Sequence, residues 1–117
     1  MRVERELMRG AGPVAVLKLL ERGEMYGYEL VEALARQSNG VLAMGQSTLY
    51  PMLYNLEAKG LIEAARRDTP SGRERKYYRL TPSGRTRLRE QSAEWQSIAD
   101  AMRALGVVSQ LHAGGTR

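Results

Sequence analysis

Hydrophobic positions along the chain recur at helical spacing until about residue 60, then switch to alternation, then return to a helical period. Val3 and Leu7 predict a short helix over residues 2–9, which Gly10 and Gly12 end. Pro13 suits the first turn of a new helix, carried on by Val14, Leu17 and Leu20 and closed by Gly23. The segment YGYELVEALARQSNG then sets Tyr28, Val31, Leu34 and Ala35 on one face, so Tyr28 is expected in the core. Asn39-Gly40, the residue types best suited to a left-handed cap, end that helix. A further helix is expected from Gln46-Ser47-Thr48 to Lys59, with Ser47 as its N-cap and Pro51 just past the first turn. Its buried face is Leu49, Met52, Leu53 and Leu56. Ser47, Tyr54 and Ala58 stand opposite, flanked by Tyr50 and Asn55. Two exposed tyrosines are unusual on a helix that only shields a core.

LIEAARR and RKYYRL alternate in the manner of strands and are separated by the turn formers of DTPSGRE, which predicts a hairpin with a mobile, positively charged tip. Tyr78 and Leu80 share one face of it, Tyr77 and Arg79 the other. Thr81 then caps a last helix, Pro82 fits its first position, and the pattern persists to about Leu105. Its length is roughly 36 Å. The apolar stripe is Leu88, Trp95, Ala99 and Met102, with Ile98 and Leu105 at its margin. The preceding domain is too small to cover such a rod, so the stripe calls for a second chain. Residues 107–117 are expected to fray.

Composition narrows the class. The 117 residues suffice for one domain. With no cysteine, disulfides and thiolate metal sites are excluded, which fits a reducing cytoplasm. The N-terminus lacks a signal-peptide core, and the longest apolar stretch falls far short of a membrane span. The net charge is +5, but its placement matters more. From Lys59 to Arg89 stand ten basic and three acidic residues, leaving the remainder slightly negative. A concentrated positive field suggests a polyanionic partner, and on charge alone a solvated basic face is an equal reading.

The order helix, helix, helix, hairpin, long helix describes a winged helix-turn-helix, mainly α with a small β-hairpin, plus a C-terminal dimerisation helix. MYGYELVEAL resembles the second-helix motif of the PadR-like regulators. STLYPMLYNLEAKGLIEA is similar to their recognition helix and its run into the wing, and GRERKYYRLTPSGRTRL to their wing and last helix. These segments span residues 14 to about 90. The single terminal helix resembles the short-tailed branch, while the Gly10-Ala11-Gly12-Pro13 break departs from that family's continuous first helix. Residues 1–80 thus form the DNA-binding domain, 1–12 being an N-terminal arm, and 81–106 the dimerisation helix. The resemblance implies a homodimeric repressor on a palindromic operator, released in some members by a small aromatic compound.

Candidate contacts follow from helix-turn-helix geometry, in which the start of the second helix of the unit meets base edges. Gln46, Ser47, Thr48 and Tyr50 occupy that end; glutamine pairs with an adenine edge, and hydroxyls bond bases or phosphates. Tyr54 is equally a phosphate contact or packing against the wing or last helix. Arg66, Arg67, Arg73, Arg75 and Lys76 would lie along phosphates or enter the minor groove, making affinity fall with salt. Trp95, with the small residue Ala99 beside it and Met102 near, reads first as interface core and second as a seat for a planar effector. His112 reads as solvated. No metal cluster, phosphate-binding glycine loop or nucleophile–base pair is legible, so neither a cofactor nor enzymatic chemistry is expected. The alternative is a winged-helix protein-interaction module whose wing binds an acidic protein.

Overall fold

A computed structural model describes residues 3–109. In chain order the elements are α1 (Arg5–Glu21), β1 (Met25–Tyr26), α2 (Gly27–Gln37), α3 (Gln46–Ala58), β2 (Ile62–Asp68), β3 (Glu74–Leu80) and α4 (Pro82–Leu105). The strands form one antiparallel sheet in the order β1-β3-β2. The core lies where α1, α2 and α3 meet the sheet: Val16, Leu17, Leu20, Leu30, Leu49, Leu53 and Ile62 are almost wholly buried. Truncating any of these leucines to alanine removes buried methyl groups and leaves a cavity, a loss of about 2–5 kcal/mol.

Four local expectations hold for physical reasons visible in the structure. Asn39 (φ 54°) and Gly40 (φ 84°) take the left-handed conformation after α2. The hairpin pairs Ile62 with Leu80 and Ala64 with Tyr78, which puts Tyr78 and Leu80 in the core. Thr81 caps α4, its hydroxyl accepting from Gly84 N–H at 3.0 Å, and Pro82 follows at the first helical position. That hydroxyl also donates to Gly60 O at 2.7 Å, and Thr81 N–H donates to Leu61 O at 3.1 Å. One residue thereby ties the start of α4 to the corner between α3 and β2.

Other expectations are corrected. The first helix does not break at Gly10-Ala11-Gly12-Pro13; α1 runs through all four residues. Gly12 is buried with Met52 of α3 against it, and α1 continues into the core residues Val16 and Leu17, so tertiary packing overrides the local proline signal. Gly45, not Ser47, is the N-cap of α3, and no side chain caps it. Tyr28 is not core but 51% exposed. The inner stripe of α2 is Gly27, Leu30, Ala33 and Leu34, which turns Tyr28 outward. Strand β1, only two residues long, has no periodicity to read and exists through its pairing with β3. Leu88, assigned to the interface between chains, is 4% exposed within this one and joins its own core. Beyond Gln91 most of the rod is exposed. The radius of gyration is 16.1 Å against roughly 13 Å for a compact domain of this length, and the long axis is 55 Å. The far tail, including His112, lies outside the described residues.

Candidate nucleic-acid interface

The first turn of α3 follows Gly45, whose carbonyl accepts from Thr48 N–H at 3.1 Å and Leu49 N–H at 3.0 Å. Leu49, Leu53 and Leu56 anchor the inner side of this helix, and that rotation alone turns Gln46, Ser47, Thr48, Tyr50 and Tyr54 outward. The side chains of Gln46, Ser47 and Thr48 make no hydrogen bond among the described residues. Hydroxyls and an amide held on a rigid helix start without partners remain available for an incoming acceptor or donor.

All six tyrosines of the chain lie in β1, α2, α3 and β3. Tyr26 meets Tyr77 edge to face at 5.5 Å between centroids. Tyr50, 44% exposed, lies across Gly27 at the start of α2 and faces the wing strand β3. Tyr54 is 71% exposed. A cleft between α3 and β3 is lined by Tyr50, Pro51, Tyr54, Glu57, Lys76 and Tyr78. At its floor, burial pushes the Tyr78 phenol up from its ordinary value, and Lys76 pulls the other way. Tyr28 stands on the outer surface of α2, where hydrogen bonding to the Glu32 carboxylate raises its phenol.

The wing cations that the sequence groups together are divided by the strand pleat. Arg66 and Lys76 sit opposite one another on the face shared with Tyr78, and Arg67 and Arg75 oppose each other on the face shared with Tyr77. Two successive rungs of like charge are unfavourable in themselves. Nearby groups relieve them in part: Arg66 with Glu74 at 3.7 Å, Lys76 with Glu57 at 3.6 Å, and Arg67 with Glu24. Arg75 rests over the Tyr26 ring at 4.2 Å, and Arg67 over Tyr77 at 5.4 Å. Exposed pairs of this kind contribute at most about 1 kcal/mol, too little to withhold a cation from a phosphate. Arg73, in the turn, has neither an ion pair nor a ring contact among the described residues. That turn is closed by Thr69 N–H to Arg73 O and Gly72 N–H to Thr69 O, both 2.8 Å.

On α4, Trp95, Ile98, Met102 and Leu105 are exposed, and Ala99 is half-buried. Among the described residues no group of three or more His, Cys, Asp or Glu is placed to hold a metal ion, and no helix is long and apolar enough to cross a membrane. Sequence reasoning did not find Tyr26, Tyr77 or Gly27 as parts of this surface. The only trace of them was the repeated aromatic in YGY and KYY.

Comparison with known proteins identifies the family. A transcriptional regulator of Mycobacterium tuberculosis is 35% identical over 112 residues, 96% of this chain and 99% of that one. The negative transcriptional regulator PadR of Bacillus subtilis is 28% identical over 89 residues, covering 76% of this chain and 49% of the relative. The crystal structure of a PadR family transcriptional regulator from Eggerthella lenta superposes with a TM-score of 0.75 at 38% identity, over 89% of this chain and 88% of that one. A transcriptional regulator from Clostridium thermocellum gives a TM-score of 0.78 at 25% identity, over 87% and 96% of the two chains. The profile of the transcriptional regulator PadR-like family matches residues 16–90. The chain belongs to that family and is a transcriptional regulator of the PadR type.

Proposed function

We propose that the protein is a homodimeric repressor that binds a palindromic duplex operator through α3 and the β2–β3 wing, and that a small planar aromatic effector at the α4 helices releases it. The observation that carries the DNA reading is the pair of like-charge rungs, Arg66 with Lys76 and Arg67 with Arg75, beside a helix start bearing unpartnered polar side chains. Phosphates relieve such rungs better than the surrounding carboxylates do, because each phosphate contact also releases counterions. The name of the Bacillus subtilis relative, a negative regulator, favours repression. Two-fold symmetry then sets half-sites about one helical turn apart, or a small multiple of it. Gln46, Ser47, Thr48 and Tyr50 read the major groove, Tyr54 contacts phosphate, and the wing cations follow the backbone.

Selection of bound sequences from a random duplex library tests this directly. On the selected operator, Tyr50→Ala is expected to weaken binding by about 1–3 kcal/mol while leaving random duplex little affected. Arg73→Ala is expected to weaken all duplexes alike and to reduce the salt slope by about one. Failure to bind any duplex, insensitive to salt, would instead support a module that binds an acidic protein. For the effector, Trp95 is the sole tryptophan, so its fluorescence reports on α4 without interference. Planar aromatic compounds are expected to quench it, and silence across a broad panel would remove the tryptophan-lined seat.

A further inference from the structure

Gly27 opens α2 and is buried, yet it has no left-handed backbone conformation, so nothing in its own torsions calls for glycine. The reason lies across the helix-turn-helix corner. A methyl group at Gly27 would stand 2.6 Å from Tyr50 Oη, 2.8 Å from Cε1 and 3.0 Å from Cζ. The three atoms lie along one edge of a single ring, so the phenol bears on the glycine with ring carbons as well as with its hydroxyl. The ring's other surroundings are Pro51, Tyr54 and the Lys76–Tyr78 side of the cleft. Tyr50 is therefore held between the first residue of α2 and the wing, and its hydroxyl stands where the two helices of the unit converge.

We infer that Gly27 is a positioning residue for DNA recognition: by carrying no side chain it fixes the Tyr50 ring and so places the hydroxyl that meets the operator. This rests on the reading of Tyr50 as a DNA contact. A Cβ at Gly27 forces the ring to another rotamer or pushes α2 away from α3. In the first case the effect reaches DNA through Tyr50 alone and vanishes once the ring is removed, which the effect of a merely structural glycine would not do.

The test is a double-mutant cycle in the full chain, with affinity measured for the selected operator and for random duplex. Gly27→Ala is expected to lower operator affinity roughly tenfold while affinity for random duplex is unchanged. In the Tyr50→Ala background the same Gly27→Ala change is expected to cost nothing further, because the methyl group enters the space the ring has left. Wild-type operator affinity for Gly27→Ala, or losses that multiply in the double variant, would overturn the inference while leaving the Tyr50 contact standing. Full operator affinity for Tyr50→Ala would instead sink the contact itself, and the inference with it. Should Gly27→Ala alone fail to fold, the double variant is expected to fold; if it does not, the ring is not what the methyl group meets.

Discussion

Glutamate at both Trp95 and Met102 is expected to yield a folded monomer whose operator affinity is lower by roughly two to four orders of magnitude. The effect on the fold is expected to be small, because α4 is attached to its own domain at its beginning, by Gly84 and Leu88, and not by the outer stripe. Trp95 and Met102 are 39% and 38% exposed in the single chain, so the new carboxylates meet water and not a core. In a dimer they would meet their counterparts across the axis, burying charge without a partner, which is strongly unfavourable. The loss of operator binding then follows from the loss of the second reading head, whose binding is intramolecular only while the rods are joined. Sedimentation equilibrium, melting and mobility shift separate the consequences. A variant that stays dimeric, or a monomer that keeps wild-type operator affinity, would refute the two-headed arrangement.

The parts of the fold legible in the sequence were those written in local chemistry. Thr81-Pro82 announces α4, Asn39-Gly40 ends α2, and the alternation ending in Tyr78 and Leu80 sets the inner face of the wing. What the sequence hid depends on partners distant along the chain. A proline eight residues into α1 reads locally as a start, and only Met52, packed on Gly12, reveals that the helix passes through. The face of α2 is hidden for the same reason. Its inner stripe begins with a glycine, which carries no hydrophobic signal, so periodicity points to Tyr28 as core while it is the neighbouring Gly27 that receives the phenol of Tyr50. The candidate site fared similarly. Its residue types were visible as a cationic hairpin beside a polar helix start, but the division of the cations between two faces follows from strand register, which pairs Arg66 with Lys76 and Arg67 with Arg75.

Alanine at Gly84 is expected to destabilise the protein although it sits in a helix, and alanine at Gly10 to stabilise it. Both glycines lie in helices without positive φ, so alanine gains up to about 1 kcal/mol of helix propensity at either position. The surroundings decide the sign. Nothing lies within 4 Å of a methyl group at exposed Gly10, and the gain stands uncontested. At Gly84 the methyl group would overlap the Leu61 carbonyl oxygen and lie 2.8 Å from Leu80 Cδ1. That carbonyl has little room to retreat, since it accepts from Thr81 N–H at 3.1 Å, and Thr81 is tied in turn to Gly60 O and Gly84 N–H. Overpacking costs about 1–3 kcal/mol, and overlap with a fixed backbone oxygen belongs at the upper end of that range, above the propensity gain. The net loss is expected near 2 kcal/mol, lowering the melting temperature by roughly 10 °C. Because the collision lies at the root of α4, operator binding is expected to fall as well, whereas Gly10→Ala raises the melting temperature and leaves binding unchanged. A Gly84→Ala variant that melts at or above the wild-type temperature would show that α4 can slide on the α3–β2 corner, contrary to the tight fit at Leu61.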